Sequence, residues 1–131
     1  MSDANQPRED AVISPVAGEA MLAVPPIEAL LRPDEHVIDE RTGVISEVGE
    51  DGHASHARAG RLYLTDRRLI HVGGEVSSIE LADITELGVA TRRVFITLSG
   101  ARGVIVDVAR PARLRSSLAL AVGALRARSV A

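Results

Sequence analysis

The feature that most constrains the fold of this chain is a run of six short apolar segments between Arg61 and Val108. The links between them, TDR, GGE, AD, TRR and GAR, carry residues that favour turns. Short apolar segments with such links predict antiparallel strands joined by hairpins, so the chain is predicted to be mainly β. The segments occupy residues 61–65, 68–72, 76–81, 84–90, 94–99 and 103–108.

One further strand is predicted ahead of this run. In EHVIDERTGVISEV (residues 35–48) the apolar residues recur at a period of two, and Thr42-Gly43 interrupts them, which predicts a break or bulge near Gly43. The polar stretch GEDGHASHARAG (residues 49–60) is predicted to be a connection. The pattern therefore predicts seven strands.

The last part of the chain has a helical period instead. Leu114, Leu118, Val122 and Leu125 are spaced by four, four and three residues, which places them in one stripe of a helix predicted over residues 111–127. The opening of a curled sheet is a place where such a stripe can be buried. The predicted fold is a seven-stranded curled barrel or orthogonal sandwich, capped by a C-terminal amphipathic helix.

The first residues of the chain show no sustained period. Residues 1–24 are predicted to be a disordered leader, and residues 25–131 a single domain that begins with a helical turn in IEALL. The N-terminus lacks the basic and apolar regions of a secretory signal, and no apolar run approaches the ~20 residues of a membrane-spanning helix. The protein is therefore expected in the cytoplasm.

Composition excludes several function classes. Cysteine is absent, which excludes disulfides, thiolate catalysis and cysteine-ligated zinc. Tyr63 and Phe95 are the only aromatic residues. Readers of single-stranded nucleic acid need aromatic platforms on which bases stack, so a nucleic-acid partner is not expected.

Charge is distributed unevenly along the sequence. Residues 1–60 contain 12 acidic residues and 4 arginines, for a net charge of −8, whereas residues 61–131 contain 6 acidic residues and 11 arginines, for +5. A basic C-terminal half can attract an anionic partner. The alternative is ordinary solvated charge on both halves of the chain.

Three stretches together resemble a known superfold. GRLYLTDRRLIHV (residues 60–72), SSIELADITEL (residues 77–87) and IEALLRPDEHV (residues 27–37) are similar, in their order and spacing, to the bacterial PH-like and GRAM-like domains of the pleckstrin-homology superfold. The resemblance covers residues 27–127. It implies a curled barrel with a closing helix and a non-catalytic binding role.

The TDRR sequence is predicted to be a structural turn. Thr65 and Asp66 can accept hydrogen bonds from backbone N–H groups, and Asp tolerates the left-handed conformation that a two-residue hairpin demands. Arg67 is expected to project from the turn and Arg68 to begin the next strand. Asp83, in the ADI step, is predicted to lie at a corner of the sheet rather than to act in catalysis.

No catalytic or metal-binding arrangement is predicted. Ser55 and His56 are neighbours without a third catalytic group, and His53-x-x-His56 lacks two further ligands for a metal. His71 is interpreted as a strand-face or core histidine. No cofactor motif is present, so the protein is not expected to be an enzyme.

The predicted function is binding to a partner protein, or self-association, through a sheet edge or the groove beside the helix. The alternative is contact with an anionic membrane surface through two arginine pairs. The loops that match the lipid-binding mouth of PH domains are expected to hold only three basic residues, Arg58, Arg61 and Arg102, opposed by acidic ones. The proposed interaction residues are Arg67, Arg68, Arg92 and Arg93.

Overall fold

The structure, a computed structural model, describes residues 26–129. The predicted leader, residues 1–24, lies outside this range. A short helix, α1 (Ile27–Leu30), follows Pro26. The domain that carries the sheet begins at Pro33, so α1 belongs to a separate unit of the chain and not to the sheet domain.

Seven strands and one long helix form the sheet domain, which confirms the prediction of a mainly β fold with a C-terminal helix. A 3₁₀ turn at Leu81–Asp83 joins two of the strands, and it places Asp83 at the predicted corner. The strands are β1 (Val37–Val48), β2 (Ala54–Thr65), β3 (Arg68–Val72), β4 (Val76–Glu80), β5 (Ile84–Ala90), β6 (Arg93–Leu98) and β7 (Arg102–Asp107), and the helix is α2 (Pro111–Ser129).

All seven strands pair antiparallel in one curled sheet with the order β4-β3-β2-β1-β7-β6-β5. The long first strand is central: it pairs with β2 along most of its length, and its second half, from Val44 to Val48, also pairs with β7. The two edges of the sheet are therefore β4 and β5.

Two details of the strand prediction were wrong. The predicted connection over residues 49–60 is shorter, because β2 already begins at Ala54. Pairing runs without a break through Gly43 and Gly60. One irregularity lies at the start of β1, between Val37 and Asp39, and the other lies beyond Gly43, between Ile45 and Glu47. There β2 bulges at His56, which has a positive φ of 57°.

Gly43 has a packing role rather than a strand-breaking one. A Cβ built on Gly43 would lie 2.6 Å from Val108 Cγ1 and 2.8 Å from Leu62 Cδ1. A glycine is therefore needed where Val108, just after β7, packs against the β1–β2 pair.

The core lies between the inner face of the sheet and α2. Alternate residues of the strands point inward, as Leu62 and Leu64 of β2 do. From the helix, Leu114, Leu118 and Val122 are buried, and Leu125 packs at the border of the core. The predicted stripe is thus confirmed.

The C-terminal part of α2 is fixed to the sheet by two hydrogen bonds. Arg126 Nη2 donates to the carbonyl oxygen of Ile84 at 2.6 Å, and Arg128 Nη2 donates to the carbonyl oxygen of Asp66 at 3.2 Å. The first of these bonds occupies a backbone acceptor on edge strand β5. No helix within residues 26–129 is both long and apolar enough to cross a membrane.

Candidate functional site

The TDRR turn connects β2 to β3 through the side chain of its threonine. Thr65 is fully buried, and its Oγ1 accepts hydrogen bonds from the backbone N–H of Arg67 at 3.0 Å and of Arg68 at 2.9 Å. Asp66 Oδ1 accepts from the N–H of His36 at 3.0 Å. Both side chains therefore accept hydrogen bonds from backbone N–H groups at this turn.

The prediction of a left-handed backbone conformation at Asp66 was wrong, because Asp66 does not have a positive φ angle. Among the described residues outside glycine, positive φ angles occur at Asp34, His56, Arg92, Ala101 and Arg110. The threonine hydroxyl satisfies the donors of the turn, so the backbone does not need a left-handed residue there.

Arg68 belongs to a buried ion pair. Its Nε donates to Glu35 Oε2 at 2.9 Å and its Nη2 to Oε1 at 3.1 Å, and the side chain of Glu35 is completely buried. Thr65 Oγ1 contacts the same carboxylate at 2.7 Å. Arg68 therefore holds the segment before β1 against the β2–β3 turn. Nothing in the local sequence pattern marked Glu35 as its partner.

The second arginine pair lies in the turn between β5 and β6. Arg93 Nε donates to Asp107 Oδ1 at 2.9 Å, so it is paired across the β6–β7 strands. Arg92 has a φ of 65° and is exposed, and its carbonyl oxygen accepts from the N–H of Val108 at 3.1 Å. That contact places Arg92 just before the start of α2.

The two arginine pairs do not come together. Arg92 is beside the start of α2, whereas Asp66, the neighbour of Arg67, contacts Arg128 near its end. A helix of 19 residues is roughly 28 Å long. The pairs therefore lie near opposite ends of the helix and cannot form one continuous basic patch.

A cavity of about 340 Å³ opens between β4 and the β6–β7 hairpin, above the inner face of β1 and β2. Its walls include apolar side chains from four strands: Ile45, Ile79, Leu98 and Val104. Polar side chains also line it: Glu47, Arg58, Ser77 and Arg102. We call this space the mouth cavity. It brings Arg58 and Arg102 together, but not Arg61, which points to the opposite face of β2 and pairs with Glu40.

Arg58 lines the mouth cavity with a side chain that is only 19% exposed. Its Nη1 donates to the carbonyl oxygen of His56 at 2.7 Å, and its Nη2 lies 3.7 Å from Glu47 Oε2, too far for a hydrogen bond. Its Nε is buried and has no hydrogen-bond partner within residues 26–129. The hydroxyl of Ser77 is buried and unpartnered in the same way.

His71 of β3 lies close to Ser77 and Arg58. It faces Ser77 across the β3–β4 pair, is fully buried, and has no hydrogen-bond partner for either ring nitrogen in the described part of the chain. Burial, and next the positive charge of Arg58, hold the pKa of the His71 imidazole below its usual value, although backbone groups of Gly43 and Arg58 oppose this effect. The prediction of a core histidine is confirmed.

Edge strand β4 is hydrogen-bonded on one side, to β3. In an antiparallel pair, every second residue directs its backbone N–H and C=O groups to the neighbouring strand. The bonds from Leu81 N–H to Arg67 O and from Gly73 N–H to Glu75 O show which residues of β4 do so. By that alternation the backbone groups of Ser77 point toward β3, and those of Val76 and Ser78 point away from it. The outer side of β4 therefore offers backbone donors and acceptors directly beside the mouth cavity.

The histidines and the serine that were considered for a metal or catalytic site lie in the β1–β2 loop and at the start of β2. His53 contacts Asp51, with Nδ1 at 3.2 Å from its carbonyl oxygen, and Ser55 and His56 are exposed. Over residues 26–129, no three side chains of the metal-binding types gather into one group.

Comparison with known proteins shows a likeness at the level of the fold. No family model matches the chain, and no curated protein matches it. The C-terminal domain of an unknown protein from Leishmania infantum superposes with a TM-score of 0.52 at 18% identity, covering 74% of this chain and 98% of that one. Inner Membrane Complex Sub-compartment Protein 3 (ISP3) from Toxoplasma gondii gives a TM-score of 0.46 at 16% identity, covering 63% of this chain and 74% of the other.

Proposed function

We propose that this chain is a non-catalytic, PH-like binding module of the bacterial cytoplasm, and that it receives an extended segment of a partner protein along the outer side of β4. One observation carries the proposal: β4 is a sheet edge whose outward backbone groups, at Val76 and Ser78, adjoin a cavity with an apolar floor. An added strand gains main-chain hydrogen bonds from such an edge, and the neighbouring cavity receives its side chains.

The other edge of the sheet is less suited to this role. Helix α2 lies against β5, and Arg126 already donates to the outward carbonyl oxygen of Ile84. A segment that paired with β5 would have to displace this arginine. Natural proteins commonly cover one edge of a sheet in this way and leave another for recognition.

The membrane alternative has weaker support. Arg68 and Arg93 each neutralise a carboxylate of the domain, and the two arginine pairs lie far apart. The rim of the mouth cavity is no better suited to an anionic surface, because the β1–β2 and β3–β4 loops carry Glu50, Asp51 and Glu75. Several converging cations are needed to hold an anionic lipid surface.

The proposal is tested by selecting binders from a displayed library of random seven-residue peptides on the full chain, and then on its Ser78→Pro variant. Proline removes the outward N–H of an edge residue without disturbing the β3 ladder, so the variant is expected to fold. Ser78→Ala, which keeps the N–H, is the matched control. Enriched peptides should bind the wild type and Ser78→Ala alike, lose affinity for Ser78→Pro, and shift the amide resonances of Val76 and Ser78.

Two results would contradict the proposal: enrichment of no peptide, or peptides that bind Ser78→Pro as well as the wild type. A parallel sedimentation assay with phosphatidylserine vesicles examines the membrane alternative. Salt-sensitive sedimentation that is lost when Arg67, Arg68, Arg92 and Arg93 become alanine would support that alternative instead. If the wild type is a dimer in solution and Ser78→Pro is a monomer, the bound segment is β4 of a second copy.

A further inference from the structure

We infer that the mouth cavity receives a single carboxylate group, carried by the segment that binds along β4, and that Arg58 and Ser77 donate hydrogen bonds to it. The inference rests on the proposed function, because it names the chemistry of the partner that β4 would hold. It assigns a role to two buried polar groups that have no other partner within residues 26–129.

The first argument is the pair of unsatisfied donors. Arg58 Nε and the Ser77 hydroxyl are both buried and unpartnered, and both residues line the same cavity. Buried polar groups are nearly always hydrogen-bonded, so two unsatisfied donors beside one cavity indicate a ligand group that binds there. A guanidinium and a hydroxyl can both donate a hydrogen bond to the same acceptor. A carboxylate oxygen is the strongest hydrogen-bond acceptor that a protein segment carries.

The second argument is the charge of the cavity. Arg58 and Arg102 contribute two positive charges, and Glu47 contributes one negative charge. Glu47 forms an ion pair with Arg58 at 3.7 Å but no hydrogen bond, and its side chain is 57% exposed. One additional carboxylate would balance the cavity. A phosphate group carries a charge of about −1.5 to −2, which exceeds the net charge of +1 that these three side chains leave in the cavity.

The third argument is the direction of the side chains. Residues directly opposite each other in an antiparallel pair project to the same face of the sheet. Ser77 projects inward to the cavity, so the residue of a bound segment that lies opposite Ser77 would also project inward. Adjacent strands are about 4.8 Å apart, so the side chain of an aspartate or glutamate at that position can reach Ser77. Arg58 belongs to β2, two strands further along the sheet, and would contact the carboxylate through its own long side chain, which lines the same cavity.

The experiment compares four pools of seven-residue peptides on the full chain. The first pool has Glu fixed at the central position and random residues elsewhere, with both ends capped; the second has Gln at that position. The third and fourth pools lack a fixed residue and end in a free carboxylate or an amide. Each pool is passed over immobilised wild type, Arg58→Gln, Ser77→Ala, Ser78→Pro and the control Arg115→Gln, which changes an exposed arginine on α2.

We expect the wild type and Arg115→Gln to retain a carboxylate pool about tenfold better than its neutral counterpart, the ratio that a charge-assisted hydrogen bond provides. The Glu pool identifies a side chain as the source, and the free-end pool identifies a chain terminus. Arg58→Gln should abolish the preference and Ser77→Ala should reduce it. Circular dichroism of each variant verifies that it is folded.

The remaining outcomes separate this inference from the proposed function. Equal retention of charged and neutral pools, with loss of both on Ser78→Pro, would overturn the carboxylate inference and leave strand addition in place. A carboxylate preference that depends on Arg58 but survives in Ser78→Pro would uphold the cavity and overturn strand addition. Retention of no pool by the wild type would overturn both.

Discussion

Arg68 and Glu35 are 33 positions apart in the sequence, yet their side chains form two hydrogen bonds of 2.9 and 3.1 Å around a carboxylate that solvent does not reach. The pair joins the segment ahead of β1 to the β2–β3 turn. Two separate stretches of the sequence, residues 27–37 and 60–72, thus meet in one contact.

Removal of one member of this pair should lower the free energy of unfolding of the domain. Glu35→Ala removes the buried carboxylate that pairs with Arg68, and the loss of one member of a buried ion pair typically lowers the free energy of unfolding by about 3–5 kcal/mol. The double variant Glu35→Leu/Arg68→Met removes both charges and should recover much of that loss. Urea denaturation followed by circular dichroism measures each value.

The exposed pair of Arg61 and Glu40 provides the control for this comparison. Arg61→Ala should change the denaturation midpoint very little, because solvent already screens both charges. Equal effects of Glu35→Ala and Arg61→Ala would show that the buried pair has no special role in stability.

Thr65→Ala should destabilise the domain through the turn. The variant leaves two backbone N–H groups, those of Arg67 and Arg68, without their acceptor and removes the hydroxyl contact to Glu35. The expected loss is about 1–3 kcal/mol, the cost of unsatisfied buried groups. Thr65→Ser retains the hydroxyl and should lose much less, so a similar midpoint shift for both variants would argue against the hydrogen-bonding role.

Stability should fall as the pH is lowered through the ordinary titration range of histidine. The unfolded chain protonates His71 near its usual pKa of 6.5, whereas in the folded protein burial and Arg58 keep the pKa lower. The unfolded state therefore binds more protons just below pH 6.5, and the free energy of unfolding decreases there until the folded pKa is passed. Denaturant titrations at a series of pH values measure this slope.

The variant His71→Leu isolates that contribution. It lacks the titrating ring but keeps an uncharged side chain of similar buried character, so its stability should depend less steeply on pH between 7.5 and 5.5 than that of the wild type. Identical slopes for the two proteins would assign the pH dependence to other groups.

Gly60→Ala should disturb the sheet where β2 and the β3–β4 hairpin approach closely. A Cβ at this position would overlap the carbonyl oxygen of Val72 and lie 2.9 Å from the Cα of Gly73, and both of these are backbone atoms that cannot rotate away. Overpacking of this kind costs about 1–3 kcal/mol. Gly74→Ala is the control, since nothing lies within 4 Å of its Cβ position, and thermal unfolding should separate the two variants.

Most of the fold could be predicted because its signals are local. The turn residues between the segments that became β3 to β7 mark each reversal of the chain, and the spacing of Leu114, Leu118 and Val122 identifies the buried side of α2. The first half of β2 escaped detection because alanine, glycine and histidine have little intrinsic preference for strands. That segment forms a strand because it pairs with β1 through backbone hydrogen bonds.

The candidate site was harder to predict because its contacts are not local. Arg68 and Arg93 stood out as members of charged pairs in turns, but their partners, Glu35 and Asp107, lie far away in sequence. The inward direction of Arg58 did have a signal: the alternation of Leu64 and Leu62 continues through Gly60 to this residue. Extending that period upstream would have placed an arginine inside the curled sheet.

The central position of β1 has a consequence for the biosynthesis of the protein. Val44 pairs with Asp107, so a strand made early during translation lacks half of its ladder until a segment 63 residues later has left the ribosome. Pairings of such long separation are slow to form, since the closure entropy of the intervening chain must be met first. The nascent β1–β4 half would wait with an open, aggregation-competent edge, so its exposure during synthesis depends on the speed of elongation.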